Sequence, residues 1–251
     1  MSELHPATRG FGLASDAYER GRPDYPAAAI EQLVRRLDLR PGRSVVDLAA
    51  GTGKLTRLLT PSGAEVVAVE PIAEMRAELE HRVPGVSAID GTAEQIPLAD
   101  EGIDAVTVAQ AFHWFRPREA LSEIRRVLRP GGGLALIWNA RDEGNALQAG
   151  ISEILEPLGR GTPRRQHRDW RAVLDESGLF TPCERALYDH VQTLDEEGLV
   201  ERVCSISFVA AAPRPVRDGV EARVRALARD AGSPLELPYV TELYLAFRPV
   251  S

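Results

Sequence analysis

Cysteine is scarce: Cys183 and Cys204 are the only two in 251 residues. They stand far apart, with no CxxC or Cys/His spacing that could hold zinc, so neither a disulfide framework nor a metal site is expected. Two free thiols fit a reducing compartment, and a cytoplasmic location is the expectation. Long apolar runs are missing too. None approaches the roughly 18 residues that suggest a membrane span. The first residues, with Glu3, His5, Pro6, Arg9 and Asp16 scattered through them, lack the apolar segment of a signal peptide. Positive charge is in deficit, 30 Lys+Arg against 37 Asp+Glu, and the formal net charge of −7 argues against a nucleic-acid partner. Neither repeats nor low-complexity tracts nor flexible linkers interrupt the chain. With 44% hydrophobic and 27% charged residues it can bury a substantial core, and a single domain over residues 1–251 is expected.

The residues present are ordered by periodicity. From Ala27 to Leu39 the apolar Ile30, Leu33, Val34 and Leu37 share one helical face, and Pro41-Gly42 follows. Five short apolar segments come next: Val45 to Ala49, Val66 to Val69, Val86 to Ile89, Ala105 to Ala109 and Leu134 to Trp138. They read as parallel strands buried on both faces. Helical patterns separate them, over Lys54 to Leu59, Ile72 to His81 and Arg118 to Arg129, the last stopped by Pro130-Gly131-Gly132-Gly133. This alternation predicts an α/β fold with a doubly wound, mostly parallel sheet, whose ligand crevice lies at the carboxyl ends of the strands. After Asn139 helices dominate. A helix over Trp170 to Leu179, a sixth strand over Arg185 to Leu194 and a final strand over Tyr239 to Phe247 are expected. Between the last two, Thr193 and Glu196 form a capping-box signature, Pro213 and Pro215 break the helix that follows, and another runs from Val216 to Ala231. The stretch 194–232 therefore reads as a helical insertion near the C-terminus that caps the crevice, and residues 1–26 as a lid segment.

The stretch from Val45 to Thr56 carries the chemistry. It reads as a strand, a loop of small residues and a helix start, so a ligand can lie against the backbone N–H groups at Ala49, Gly51 and Gly53. A P-loop is excluded, because Leu48 stands where the first glycine is needed and Leu55 where Ser or Thr is needed. A dinucleotide fingerprint fits Gly51 and Gly53 but meets Thr56 at its third position, and Asp47 would repel a pyrophosphate. A cationic methyl donor would instead be attracted by Asp47. Glu70, closing the second strand about 20 residues after the glycines, can accept both ribose hydroxyls. Ile72 and Met75 suit either an adenine face or a helix core.

The motifs Asp47-x-Ala49-x-Gly51-x-Gly53, Glu70-Pro71, Gly91-Thr92-Ala93-Glu94-Gln95-Ile96-Pro97, Gln110-Ala111-Phe112-His113-Trp114-Phe115 and Leu128-Arg129-Pro130-Gly131-Gly132 together resemble a class I S-adenosylmethionine-dependent methyltransferase of the small-molecule type. The resemblance implies a seven-stranded, Rossmann-like sheet. It also implies that the Ala49–Gly53 backbone meets the methionine end, Glu70 and Pro71 the ribose, Thr92 and Ala93 the adenine, and the Gln110 main chain the amino group. The segment Tyr18-x-x-x-Arg22-Pro23-x-Tyr25-Pro26 resembles one that folds over the bound cofactor, which brings in Tyr18 and Arg22. Two positions depart from the family pattern: Ala49 stands where Gly is usual, and Thr92 where Asp commonly accepts a bond from the adenine amino group. Thr92, Glu94 and Asp90 are all candidates for that contact. Methyl transfer to a small organic acceptor at O, N or C is the expected reaction, leaving S-adenosylhomocysteine. No metal is called for. His113, at the mouth of the fourth strand, is the candidate general base, with a pocket-wall role as its alternative. A non-methylating protein that binds the same cofactor and a nicotinamide oxidoreductase are the competing functions.

Overall fold

A computed structural model of the chain describes residues 21–159 and 169–250. These residues form two compact units. The first contains 25–139, 169–188 and 241–250; the second contains 21–24, 140–159 and 189–240.

The strands are β1 (Ser44–Leu48), β2 (Glu65–Val69), β3 (Ser87–Ile89), β4 (Ile103–Ala109), β5 (Leu128–Arg141), β6 (Glu184–Leu194) and β7 (Leu235–Phe247). They lie in one seven-stranded sheet in the order β3-β2-β1-β4-β5-β7-β6. The first five pair in parallel, β1 between β2 and β4. β7 runs antiparallel to β5, since Gly131 N–H donates to the Arg248 carbonyl at one end and Asp142 N–H to the Pro238 carbonyl at the other. The chain reverses direction across the sheet between β1 and β4, the switch point where this architecture places ligands.

Each face of the sheet is covered by amphipathic helices. Helix α1 (Ala27–Arg36) brings Ala29 and Leu33, α2 (Thr56–Leu59) brings Leu59, and α3 (Ala73–Arg82) brings Leu79 to a core with Val45, Val66, Ala68 and Ala105. On the other face, α4 (Pro117–Val127) and α6 (Trp170–Ser177) place Leu121, Ile124, Trp170 and Leu174 against Val46, Val106, Leu134 and Trp138. Helices α5 (Ala146–Leu155), α7 (Glu196–Cys204), α8 (Ser207–Ala210) and α9 (Arg214–Ala231) belong to the second unit. Its own core is Ile151, Ile154, Leu199, Val203, Val209, Val220 and Val224, closed by Leu237 and Tyr239. No helix among the described residues is long and apolar enough to cross a membrane.

Three local readings are corrected. The run Pro130–Gly133 does not stop a helix: α4 ends at Val127 and the glycines lie inside β5, where a Cβ on Gly133 would sit 2.4 Å from the Leu37 side chain. Close approach explains Gly132 and Gly133, whereas Gly131 is required by its left-handed backbone, φ 81°. The cap of α7 is Asp195, whose carboxylate accepts from Gly198 N–H at 2.8 Å, and not Thr193. Pro215 starts a helix and does not break one, standing in the first turn of α9, where its missing N–H costs nothing.

At the end of the sheet opposite the switch point, Asp104 ties three strands together. It accepts from Ser44 N–H at 2.9 Å, from the Ser44 hydroxyl at 3.0 Å, and from Arg43 and Arg129 at 2.8 and 3.0 Å. Burial pushes this carboxyl up, but the Ser44 donors and the two guanidiniums outweigh it and hold it below its ordinary value. A carboxyl depressed in the folded state stabilises above its unfolded pKa, and that contribution disappears as pH falls through the folded value. Asp104→Asn should therefore cost about 2–4 kcal/mol at pH 7 by denaturant titration, with the gap to wild type closing toward pH 3.

Candidate active site

The site is built at the carboxyl ends of β1, β2 and β4. After Leu48 the backbone turns into the left-handed region at Ala49 (φ 57°), Gly51 (59°) and Gly53 (86°), coiling the loop ahead of α2. For Ala49 this conformation costs on the order of 1 kcal/mol. Gly53 has a second requirement, since a Cβ there would meet the Leu79 side chain at 2.9 Å. A second non-glycine in this region, Gln110 (φ 57°), follows β4 directly, with its N–H donating to the Ile137 carbonyl at 2.9 Å. Strained residues at two neighbouring strand ends mark a place where the backbone is shaped for something other than stability.

Glu70 joins the loops after β1 and β2. Its carboxylate is 3% exposed and accepts from Gly51 N–H at 2.9 Å through one oxygen and from Ile72 N–H at 3.0 Å through the other. A further bond between the loops, Ala50 N–H to the Val69 carbonyl at 3.2 Å, lies beside it. Burial raises the Glu70 carboxyl to about 7, against the lowering influence of the Ile72 and Gly51 N–H groups and of Arg76, while the charge of Asp47 adds to the rise. Asp47 is 0% exposed; Thr56 donates to it at 2.6 Å and Thr107 at 3.2 Å. Its burial raises it to about 6 despite those two hydroxyls. Asp47 thus holds the first residue of α2 and the middle of β4 in place, and any influence on a ligand is exerted by its charge through the loop.

The structure places Asp47 in β1 and Ala49, Gly51, Gly53, Glu70, Pro71, Thr92, Ala93, Gln110 and His113 on the loops that follow β1 to β4, all in the first unit. Ala93 is buried in the core with Leu48, Val69 and Phe112, and Thr92 exchanges two main-chain bonds with Gln95. Of the other candidates near the adenine position, Asp90 pairs with Arg76 at 3.3 Å and Glu94 accepts from Arg116 N–H at 2.9 Å. Both acidic side chains are thus engaged with protein. Met75 is buried helix core. His113 lies half-buried in a single 3-10 turn, Phe112–Trp114, whose anchor is the fully buried Phe112. Phe112 packs edge-on to Trp170, 5.5 Å between ring centroids, and Trp170 stacks on Trp138 at 5.6 Å. Arg22 belongs to the second unit and is not grouped with these residues, and Tyr18 lies outside the described residues. The strain at Gln110 was missed by sequence reading; a polar residue directly after an apolar strand is its only signal.

A methyltransferase-domain family model matches residues 46–136, the span that holds every one of these loops. An uncharacterized methyltransferase of Mycobacterium bovis is 45% identical over 239 residues, covering 92% of this chain and 92% of that protein. The chain belongs to the class I S-adenosylmethionine-dependent methyltransferases. A demethylmenaquinone methyltransferase of Mycolicibacterium paratuberculosis is 35% identical over 218 residues, covering 83% of this chain and 91% of that protein. Among solved structures, the phosphoethanolamine N-methyltransferase 2 of Haemonchus contortus in complex with S-adenosyl-L-methionine shares the fold, with a TM-score of 0.57 at 16% identity over 96% of this chain and 57% of that one.

The buried carboxylates give this methyltransferase a measurable signature. A carboxyl raised in the folded state makes the fold hold more protons than the unfolded chain, so stability falls as pH rises from about 4 toward the folded value. Asp47→Asn removes the charge and keeps an oxygen for one of the two threonine hydroxyls, while the amide NH2 can donate to the other. The variant should gain on wild type by about 1–3 kcal/mol between pH 4 and pH 8 in denaturant titrations, and parallel pH profiles would contradict the assigned protonation.

Proposed function

We propose that this methyltransferase transfers the methyl group to a small organic molecule and holds its cofactor on the loops after β1, β2, β3 and β4. The observation that carries the reading is the buried Glu70 carboxylate, fixed by two backbone N–H groups and raised to about 7. Such a group gains from ligand hydroxyls that donate to its remaining lone pairs and from nearby positive charge. A ribose diol and a sulfonium supply both, whereas a pyrophosphate would add repulsion to two carboxylates already disfavoured by burial. The residues present therefore fit S-adenosylmethionine and oppose a nicotinamide dinucleotide.

In this reading Glu70, with Pro71 turning the chain away behind it, holds the ribose. The coiled backbone at Ala49, Gly51 and Gly53 receives the methionine end, with Asp47 contributing negative charge from beneath. Thr92 and Ala93 line the adenine position. The main chain at Gln110 faces the amino group, which accounts for the strain stored there. When bound, S-adenosylmethionine supplies a methyl group activated on sulfur and departs as S-adenosylhomocysteine. What the protein adds is alignment of the acceptor and exclusion of water. An acceptor that carries a proton must lose it, and His113 is proposed to take that proton at an imidazole nitrogen from its fixed 3-10 turn. A small-molecule acceptor is supported by the likeness to a demethylmenaquinone methyltransferase over most of both chains.

Glu70→Gln leaves one carboxamide NH2 facing a backbone N–H and should weaken S-adenosylhomocysteine about 10- to 100-fold in calorimetry. In wild type, binding near pH 6.5 should release protons, because the ligand lowers the Glu70 carboxyl, and the variant should lose that release. Unchanged affinity would remove Glu70 from the site, and thermal protection by NADH without protection by S-adenosylhomocysteine would overturn the cofactor assignment. His113→Gln should slow labelled-methyl transfer to a panel of small acceptors about 100-fold, with cofactor affinity within about twofold of wild type. Parallel losses in rate and affinity would make His113 part of the pocket wall.

A further inference from the structure

The second unit buries a guanidinium, that of Arg202, with one nitrogen that no acceptor among the described residues meets. Arg202, on α7, is 5% exposed, in the midst of a core otherwise made of Leu199, Val203, Val220 and Val224. Its Nε donates to the Tyr239 hydroxyl at 3.1 Å and its guanidinium carbon lies 6.0 Å from the Tyr239 ring centroid. Its Nη1 is buried and meets no acceptor among the described residues. Arg141, at the end of β5, donates to the Ser152 hydroxyl at 3.3 Å, and that hydroxyl donates in turn to Glu143 at 3.0 Å. Burial and the charge of Arg202 push the Arg141 guanidinium below its ordinary value, and Arg22 contributes in the same sense.

Arg22 is brought close by its neighbour. Gly21 rests on the backbone of α7, where a Cβ would lie 2.7 Å from the Arg202 Cα, and its carbonyl accepts from Gln192 at 3.2 Å. Two guanidiniums, those of Arg202 and Arg141, thus converge on one phenol. A buried arginine is ordinarily paired, since an uncompensated charge in the interior costs several kcal/mol. Glu143, whose charge acts on Arg141, is exposed and already engaged by Ser152. Partial exposure of Arg141 gives a small anion an approach to the pair. Guanidinium forks recognise a planar or tetrahedral oxyanion, and the Tyr239 O–H, which donates to Gln192 Oε1 at 3.5 Å, can turn to add a donor.

We propose that Arg202 and Arg141, with the Tyr239 hydroxyl, form a binding site within the second unit for the carboxylate or phosphate group of a small anion. This goes beyond the reading of the chain as a small-molecule methyltransferase, and charge is what selects the ligand.

The test uses the full chain at constant ionic strength set with sodium chloride, with malonate and inorganic phosphate as probes and S-adenosylhomocysteine as a separate ligand. Either oxyanion should raise the melting temperature, and the stronger of the two identifies the group recognised. Arg202→Met should weaken oxyanion binding at least tenfold while melting no lower than wild type without anion, because it removes an unanswered charge and keeps the apolar stem. A purely structural arginine would give the reverse, a lower melting temperature with the oxyanion effect intact, and that result would overturn the site. Should Arg202→Met fail to fold, Tyr239→Phe keeps the ring packing and should weaken the oxyanion severalfold; unchanged binding there sinks the proposal. No response to either oxyanion, with S-adenosylhomocysteine still bound, removes the anion site and leaves the methyltransferase reading standing. Absence of S-adenosylhomocysteine binding would remove that reading instead.

Discussion

The carboxylate of Glu70 between two backbone N–H groups is the constraint on which the site depends. One oxygen holds Gly51 and the other holds Ile72, so the loop after β1 and the loop after β2 take one shape together. Parallel pairing sets the ends of those strands side by side, with Leu48 opposite Val69. The register alone would leave two glycine-rich and proline-bounded turns free to move independently. A charged acceptor strengthens each of the two bonds beyond a neutral one, and its burial keeps water from competing. The same burial keeps the group close to protonation at neutral pH, so the site is stable enough to exist and still favours a ligand that helps it ionise.

The strained residues fit this picture. Ala49 and Gln110 stand at adjacent strand ends in a conformation that alanine and glutamine disfavour, and the sheet beneath them is rigid enough to impose it. Val46, Val106, Leu134 and Leu136 are fully buried between helical layers, so the strands cannot relax by shifting. Asp104 fixes the opposite end of β1, β4 and β5. Tension at one end of the sheet is thus held by ionic bonding at the other and by packing between them.

Much of this was legible in the residues, for reasons that differ from place to place. The five parallel strands showed as short apolar runs because they are buried on both faces, and the loops after them showed through glycine, proline and isolated carboxylates. Glu70 was found by its distance from the glycines, but its bonding to Gly51 and Ile72 was not, because a side chain turned back onto its own backbone leaves no trace in spacing. Asp47 is read from the sequence as attracting a cationic ligand by its charge; its two threonine partners, nine and sixty residues away in sequence, become neighbours only through the fold. The glycine run at 131–133 was misread since glycine serves a turn and a close approach equally well. In the second unit helix α5 went unnoticed, although Asn145 caps it with bonds to Leu147 and Gln148 N–H, because its apolar residues answer to other helices of that unit and not to a sheet.

Each unit buries charged groups, and the two sets are of opposite sign. In the first, Asp47 and Glu70 are carboxyls raised by burial; in the second, Arg202 has a buried Nη1 that meets no acceptor among the described residues, beside the half-buried Arg141. Each unit would be more stable with apolar residues in these positions. Retaining both charges is consistent with two ligands of complementary character, one bearing a sulfonium and the other an oxyanion. A ligand of the wrong sign leaves one of these buried charges unanswered as well as adding repulsion. Discrimination then comes from the protein's own desolvated groups, which reject by being left unpaired.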